Sequence, residues 1–363
     1  MPAASTAVPS VIEDTLVFTL DDPDRTFIRV SLDCDDAVTG RRRFRRTATG
    51  WQLTIPRPDL NRLEYRLVVT ERGGGTAVVC DPVNPERVQT AFGERSVALM
   101  PGYERPKWLQ REVPAGTTQE LVLATDEPDE PDEPAGIGKV PVTVWSPDGL
   151  PADDPARLLV VHDGPEYVEL ASLAHYAAAV IEDGSVPPFR LACMHPVDRD
   201  PWYAANEDYV TAELAVLDRL VEQVPTSDRW VTLGASLGGL TSLLLAFAGG
   251  NRFGGVVAQS GSFFTSDLDP QESSYPFFDR VIDAVRDVEQ TEHADRPLQV
   301  ALTCGRLEEN FANNDAMASA LADQGHLVVF VPVADLHNYT AWRDALHPAL
   351  TDLLRTVWSP LAE

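Results

Sequence analysis

WVTLGASLGGLTSLLLAFAGG, residues Trp230–Gly250, runs from an apolar strand-like stretch into an apolar helix-like one through a serine between glycines. Ser236 occupies the centre of a G-x-S-x-G pattern, Gly234 to Gly238. The pattern alone is weak, because glycine and serine are common. Its setting is specific: the strand Trp230–Leu233 stops just before it and the helical run Leu237–Ala248 starts just after, the context a nucleophile elbow requires. Glycines at both flanks let neighbouring backbone approach a sharp turn. Such a turn exposes Ser236 Oγ and aims the Leu237 N–H, at a helix N-terminus, toward a developing oxyanion. The plain alternative is a structural Gly/Ser turn in a phosphate-binding α/β protein.

Working outward, short apolar runs alternate with helical stretches: RLLVVHDG, FRLACMHPVD, RWVTLGAS, GGVVAQSG, LQVALTCG and HLVVFVPV. Fully apolar strands spaced by helices predict an α/β domain whose mostly parallel sheet is covered on both faces. Chemistry in such sheets gathers at the carboxyl ends of the strands. A serine nucleophile needs a base there, and in this fold the chain order is serine, acid, histidine. Of the seven histidines, His337 in VFVPVADLHNYTAWR follows the last strand; His162 and His195 also follow strands but precede Ser236. His326 precedes its strand, His347 falls in a helical run, and His175 and His293 lie in helix-like surface stretches. The acid is expected after LQVALTCG, where CGRLEENF offers Glu308, with Glu309 and Asp335 as rivals. A second oxyanion donor is expected after LLVVHDGPEY, and since Pro165 has no N–H, Gly164 is the candidate.

The chain has 363 residues, enough for two domains or one enlarged α/β domain. Its 29 Lys plus Arg against 56 Asp plus Glu give a formal charge of −27, which repels nucleic acid and anionic membranes. The N-terminus lacks the basic and apolar regions of a signal peptide and no long apolar run appears, so a cytoplasmic protein with no membrane or nucleic-acid partner is expected. Cys34, Cys80, Cys193 and Cys304 form no CxxC pair and read as free, mostly buried thiols, with no metal site signalled. Residues 1–112 carry short alternating runs closed by Asp, Pro or Gly, such as TLVFTLDDPD and GWQLTIPRPD, and predict a small β-sandwich. Residues 113–363 form the catalytic α/β domain, interrupted at 126–136 by an acidic, proline-rich exposed loop containing EPDEPDEP. RRRFRR, Arg41 to Arg46, reads as an exposed loop or strand, with a ligand-facing basic patch as the alternative.

These residues resemble a known family, the enterochelin (enterobactin) esterases, within the broader esterase group that includes esterase D and the mycolyltransferases. The resemblance covers nearly the whole chain and rests on LLVVHDG, VDRDPWYAANEDY, LGASLGGLTSLLLAFAGGNRFGGVVAQSGSF, CGRLEEN and LHNYTAWRDAL. DPVNPERVQTAFGERSVALMPGYERPKW resembles the immunoglobulin-like domain that precedes the α/β-hydrolase domain in this family. The resemblance implies Ser236 as nucleophile, His337 as base and Glu308 as acid. It also implies a serine esterase that opens the lactone esters of a ferric catecholate trilactone siderophore to release iron in the cytosol. The small-molecule substrate brings the iron, so no cofactor is implied. Arg199, Trp202, Tyr203 and Arg343 are the expected substrate-binding residues. Two departures touch the substrate rim: Trp202-Tyr203 stand where the family commonly has Glu-Leu, and Asp335-Leu336 where it has Gly-Gly. The alternatives are another acyl substrate, a carbohydrate acyl ester or a thioester, and a catalytically silent ligand-binding fold.

Overall fold

A computed structural model describes residues 9–125 and 137–359, and the acidic segment expected as a loop over 126–136 lies outside them. The chain divides into two compact units. One ends at Glu104 and also contains Ala334–Asn338; the other holds Arg105–Val333 and the chain from Tyr339 onward. The expected boundary at 112 therefore falls earlier. Trp108 packs edge-on to Tyr176 and belongs to the apolar core of the second unit, while Arg111 pairs with Asp183 there.

The second unit is built on one eight-stranded sheet: β1 (Thr117–Ala124), β2 (Lys139–Ser146), β3 (Arg157–Val161), β4 (Phe189–Met194), β5 (Trp230–Ala235), β6 (Phe253–Gln259), β7 (Gln299–Gly305) and β8 (Leu327–Val333). Their spatial order is β1-β2-β4-β3-β5-β6-β7-β8. β1 and β2 run antiparallel and every pairing from β4 through β8 is parallel. The central strands are apolar on both sides because helices cover both faces. Alternate residues feed two cores: Leu158, Val160 and Val256 face one, Leu159, Val161 and Val257 the other. The first core is closed by α4 (Glu207–Gln223), α5 (Leu237–Ala248), α6 (Phe278–Glu289) and α7 (Phe311–Asp323). The second is closed by α2 (Leu173–Glu182) and α9 (Thr351–Trp358). Shorter helices α1 (Gly164–Leu170), α3 (Arg199–Tyr203) and α8 (Tyr339–Ala345) begin in the loops at the carboxyl ends of β3, β4 and β8. Asn206 caps α4 by accepting from the Asp208 and Tyr209 N–H groups, with Glu207 and Asp208 in the first turn favouring the helix N-terminus.

The first unit is all antiparallel. One sheet joins Ser10–Ile12, Thr15–Asp21, Gly50–Pro56 and Arg45–Arg46; the other joins Phe27–Cys34, Arg62–Glu71, Thr76–Val79, Gly93–Leu99 and Arg87–Thr90. Gly50–Pro56 and Arg62–Glu71 each bury every second side chain, and Phe18, Leu53, Leu32 and Tyr65 meet in one core, as in a β-sandwich. Within RRRFRR, Phe44 is a buried plug, Arg46 pairs with Asp22 and lies 5.0 Å over the Trp51 ring, and Arg42 pairs with Asp36. The run is an exposed strand edge whose charges are partly matched inside its own domain.

Candidate active site

β5 delivers Ser236 and α5 leaves it. The serine has φ 55° and ψ −126°, a strained conformation for a non-glycine residue and the mark of a nucleophile elbow. A Cβ on Gly234 would lie 2.1 Å from the Gly238 carbonyl oxygen, so the turn closes only with glycine there. Ser236 is half-buried and its Oγ lies 3.2 Å from Ser262 Oγ. Backbone bonds fix it: its N–H donates to Gln259 O, and its carbonyl accepts from Gly239 and Ser262. Leu237 opens the twelve-residue α5, so its N–H belongs to the positive end of that helix.

The loop after β3 carries the second oxyanion candidate. Asp163 is left-handed (φ 52°) and Gly164 begins α1. A Cβ at Gly164 would stand 2.3 Å from Cys193 Cβ, so the loop packs on β4 as closely as backbone allows. Asp163 takes a bidentate pair from Arg199, Nε to Oδ1 at 2.8 Å and Nη2 to Oδ2 at 2.7 Å, and its N–H donates to Tyr203 Oη. Burial alone would lower the Arg199 pKa, but the Asp163 hydrogen bonds and charge raise it above its ordinary value. Burial pushes the phenols of Tyr167, Tyr203 and Tyr339 up, and two of them hydrogen-bond as neutral groups: Tyr167 donates to Gln259 and Tyr203 accepts from the Asp163 N–H.

Glu308 follows β7 and is 8% exposed. Its Oε1 accepts from the Gly305 N–H at 2.7 Å and from Ser260 Oγ at 2.9 Å, and Trp342 Nε1 donates to that same hydroxyl at 3.0 Å. Asn314 holds the adjoining Gly261 by both its N–H and its carbonyl. Glu309 is exposed, and Asp335 is engaged by Arg62 at 2.7 Å. His337 is exposed on the Ala334–Asn338 segment that follows β8 in the chain. Its neighbours on either side are bonded within the first unit.

The expected substrate residues divide. Trp202 is half-buried and stacks on Tyr209 at 5.0 Å. Tyr203 is fully buried, so its ring supports the loop after β3 and presents no stacking face, a correction to the expectation above. Arg199 and Arg343, expected at the substrate, each pair with carboxylates, Arg199 with Asp163 and Asp200, Arg343 with Asp344.

Two groups escape sequence reasoning. His162 is fully buried with Nδ1 2.8 Å from Ser242 Oγ on α5 and Nε2 3.0 and 3.1 Å from the Glu213 carboxylate oxygens on α4. The signal was a carboxylate inside the apolar stripe Tyr209, Val210, Glu213, Val216, Leu217 and Leu220. Gln259 is equally buried, accepting from Tyr167 Oη and donating to the Trp342 carbonyl. Among the described residues no cluster of three or more His, Cys, Asp or Glu could hold a metal ion. No helix among them is long and apolar enough to cross a membrane.

An eight-stranded, mostly parallel sheet with a strained serine between strand and helix defines an α/β-hydrolase fold. The chain belongs to the family described as Putative esterase, whose sequence profile matches residues 137–353. It is 31% identical over 296 residues to the iron(III) enterobactin esterase of Dickeya dadantii, across 74% of this chain and 63% of that protein, so the match spans under two thirds of that relative's length. The fold is similar to that of the ferric enterobactin esterase of Salmonella typhimurium, with TM-score 0.77 and 21% identity over 97% of each chain. The enterobactin esterase of Shigella flexneri, crystallised with enterobactin, gives TM-score 0.76 and 20% identity over 98% of this chain and 97% of that one.

Proposed function

We propose that the protein is a serine esterase acting on the lactone esters of a ferric catecholate trilactone, releasing iron in the cytosol. The observation that carries the esterase reading is the strained, half-buried Ser236 at the strand-to-helix turn. The siderophore is favoured by the likeness to the Dickeya dadantii enterobactin esterase. In this reading Ser236 Oγ attacks a lactone carbonyl while His337 takes its proton, and the N–H groups of Leu237 and Gly164 hold the oxyanion. Collapse breaks the ester bond, and His337 returns the proton to the leaving alkoxide. Water, activated by the same imidazole, then hydrolyses the seryl ester. Glu308 orients the imidazole and stabilises its charged form. Its burial and its fixed hydrogen bonds support that role, whereas Glu309 faces solvent and Asp335 is engaged by Arg62. Iron enters as part of the substrate and is released once the trilactone scaffold has been opened.

A second reading, an esterase for an uncharged acyl substrate, is favoured by one observation: Arg199 and Arg343 both pair with carboxylates, leaving less positive charge for an anionic tricatecholate. Incubating the protein and its Ser236→Ala variant with ferric enterobactin and with p-nitrophenyl esters, and following products by chromatography and mass, separates the two. Trilactone cleavage by the wild type, reduced about 10⁴-fold or more in the variant, is the expected result. Cleavage of simple esters alone would transfer the activity to other acyl substrates, and cleavage of neither would overturn the esterase reading.

A further inference from the structure

The segment Ala334–Asn338 links β8 to α8, yet it belongs to the compact unit formed by the N-terminal sandwich. Within that unit it is anchored on both sides of His337. The Asn61 N–H donates to the Ala334 carbonyl at 2.7 Å. Arg62 Nη2 donates to Asp335 Oδ2 at 2.7 Å and to Asn338 Oδ1 at 3.1 Å. Leu336 is 3% exposed in the sandwich core, and the Asn338 N–H closes a tight turn on the Leu336 carbonyl at 2.9 Å. His337 is the centre of that turn. Arg62 is itself 2% exposed and also pairs with Glu64. It opens the strand Arg62–Glu71, where it pairs with Leu99, so the anchor stands on a strand of the sandwich.

A buried ion pair adds little net stability over an apolar pair of the same shape, and what it does supply is one definite geometry. Two donors of one guanidinium group, spanning residues 335 and 338, constrain the backbone that carries the imidazole. We infer that Arg62 is a positioning residue for His337, and that the N-terminal domain serves the reaction by holding the loop of the base. This rests on His337 being the base. Asp335, which stands where the family commonly has glycine, is the partner through which this chain fixes the loop.

The test uses the full chain and the rate constant for phosphonylation of Ser236 by a fluorophosphonate, normalised to the sites that react. Partial unfolding lowers the number of reacting sites and leaves that constant unchanged, whereas a displaced base lowers the constant itself. We expect Arg62→Met to lower it about 100-fold and Asp335→Asn about tenfold, the scale of an ångström-sized misplacement. KM for a p-nitrophenyl ester should stay within about twofold, and Arg62→Lys should recover part of the loss. Should Arg62→Met not fold, the double variant Arg62→Met/Asp335→Leu leaves no unpaired charge at position 335 and should fold yet react slowly. Folded variants with the wild-type rate constant, beside a slow His337→Ala, would overturn the inference alone. His337→Ala at the wild-type rate would remove the base assignment and this inference with it.

Discussion

Ser236 stays in a backbone conformation that costs about 1–3 kcal/mol because its surroundings over-determine it. Gly234 permits the close turn, Gln259 accepts its N–H, and the first turn of α5 takes its carbonyl. The acid is fixed in the same manner, since the N–H of Gly305 at the end of β7 and the Ser260 hydroxyl both bind Glu308 Oε1. Glu308→Ala should therefore lower kcat by about 10²–10⁴-fold with KM little changed, whereas Glu309→Ala should leave both within about twofold. Steady-state kinetics on a p-nitrophenyl ester checks the pair. An equal effect at both positions would move the acid elsewhere. At this scale the sequence distinguished elbow from chance through context, and it put Glu308 first while keeping Glu309 and Asp335 as rivals. That choice depends on how the turn after β7 rotates, which neighbouring letters do not encode.

The elements were legible where one local rule governs them. β5 and α5 follow from an apolar run broken by glycines, and four of the five longest strands of the sandwich lie where alternation and Asp, Pro or Gly closures put them. Pairing across long sequence distances left no such trace. Tyr203 reads as a substrate-binding residue and is buried beneath the loop after β3; Arg199 reads as another and is bound to Asp163. The His162 network is the strongest case, joining the β3 loop to α4 and α5 through residues 51 and 80 positions apart. Glu213→Leu removes the acceptor for His162 Nε2 in a dry interior, which should destabilise the catalytic domain by about 1–3 kcal/mol. Urea unfolding followed by tryptophan fluorescence measures it, and an unchanged or raised midpoint would show that the network contributes nothing to stability.

The whole molecule carries a formal charge of −27, and the two arginines expected near the substrate are matched by carboxylates. An anionic ferric tricatecholate should then be repelled at long range. Since the screening length falls to about 10 Å at 0.1 M salt, its kcat/KM should rise several-fold between about 0.02 and 0.2 M salt, while that of a neutral ester stays flat. A fall with salt would indicate a local positive field that outweighs the net charge. These effects all presuppose that Ser236 is the nucleophile. The most direct test is to mix the protein with a slow-turnover p-nitrophenyl ester, quench during the burst, and map the acyl adduct by peptide mass. One acyl group per chain on Ser236, absent from Ser236→Ala, is the result this account predicts; a burst with the acyl group on another residue, or hydrolysis undiminished in Ser236→Ala, would contradict it.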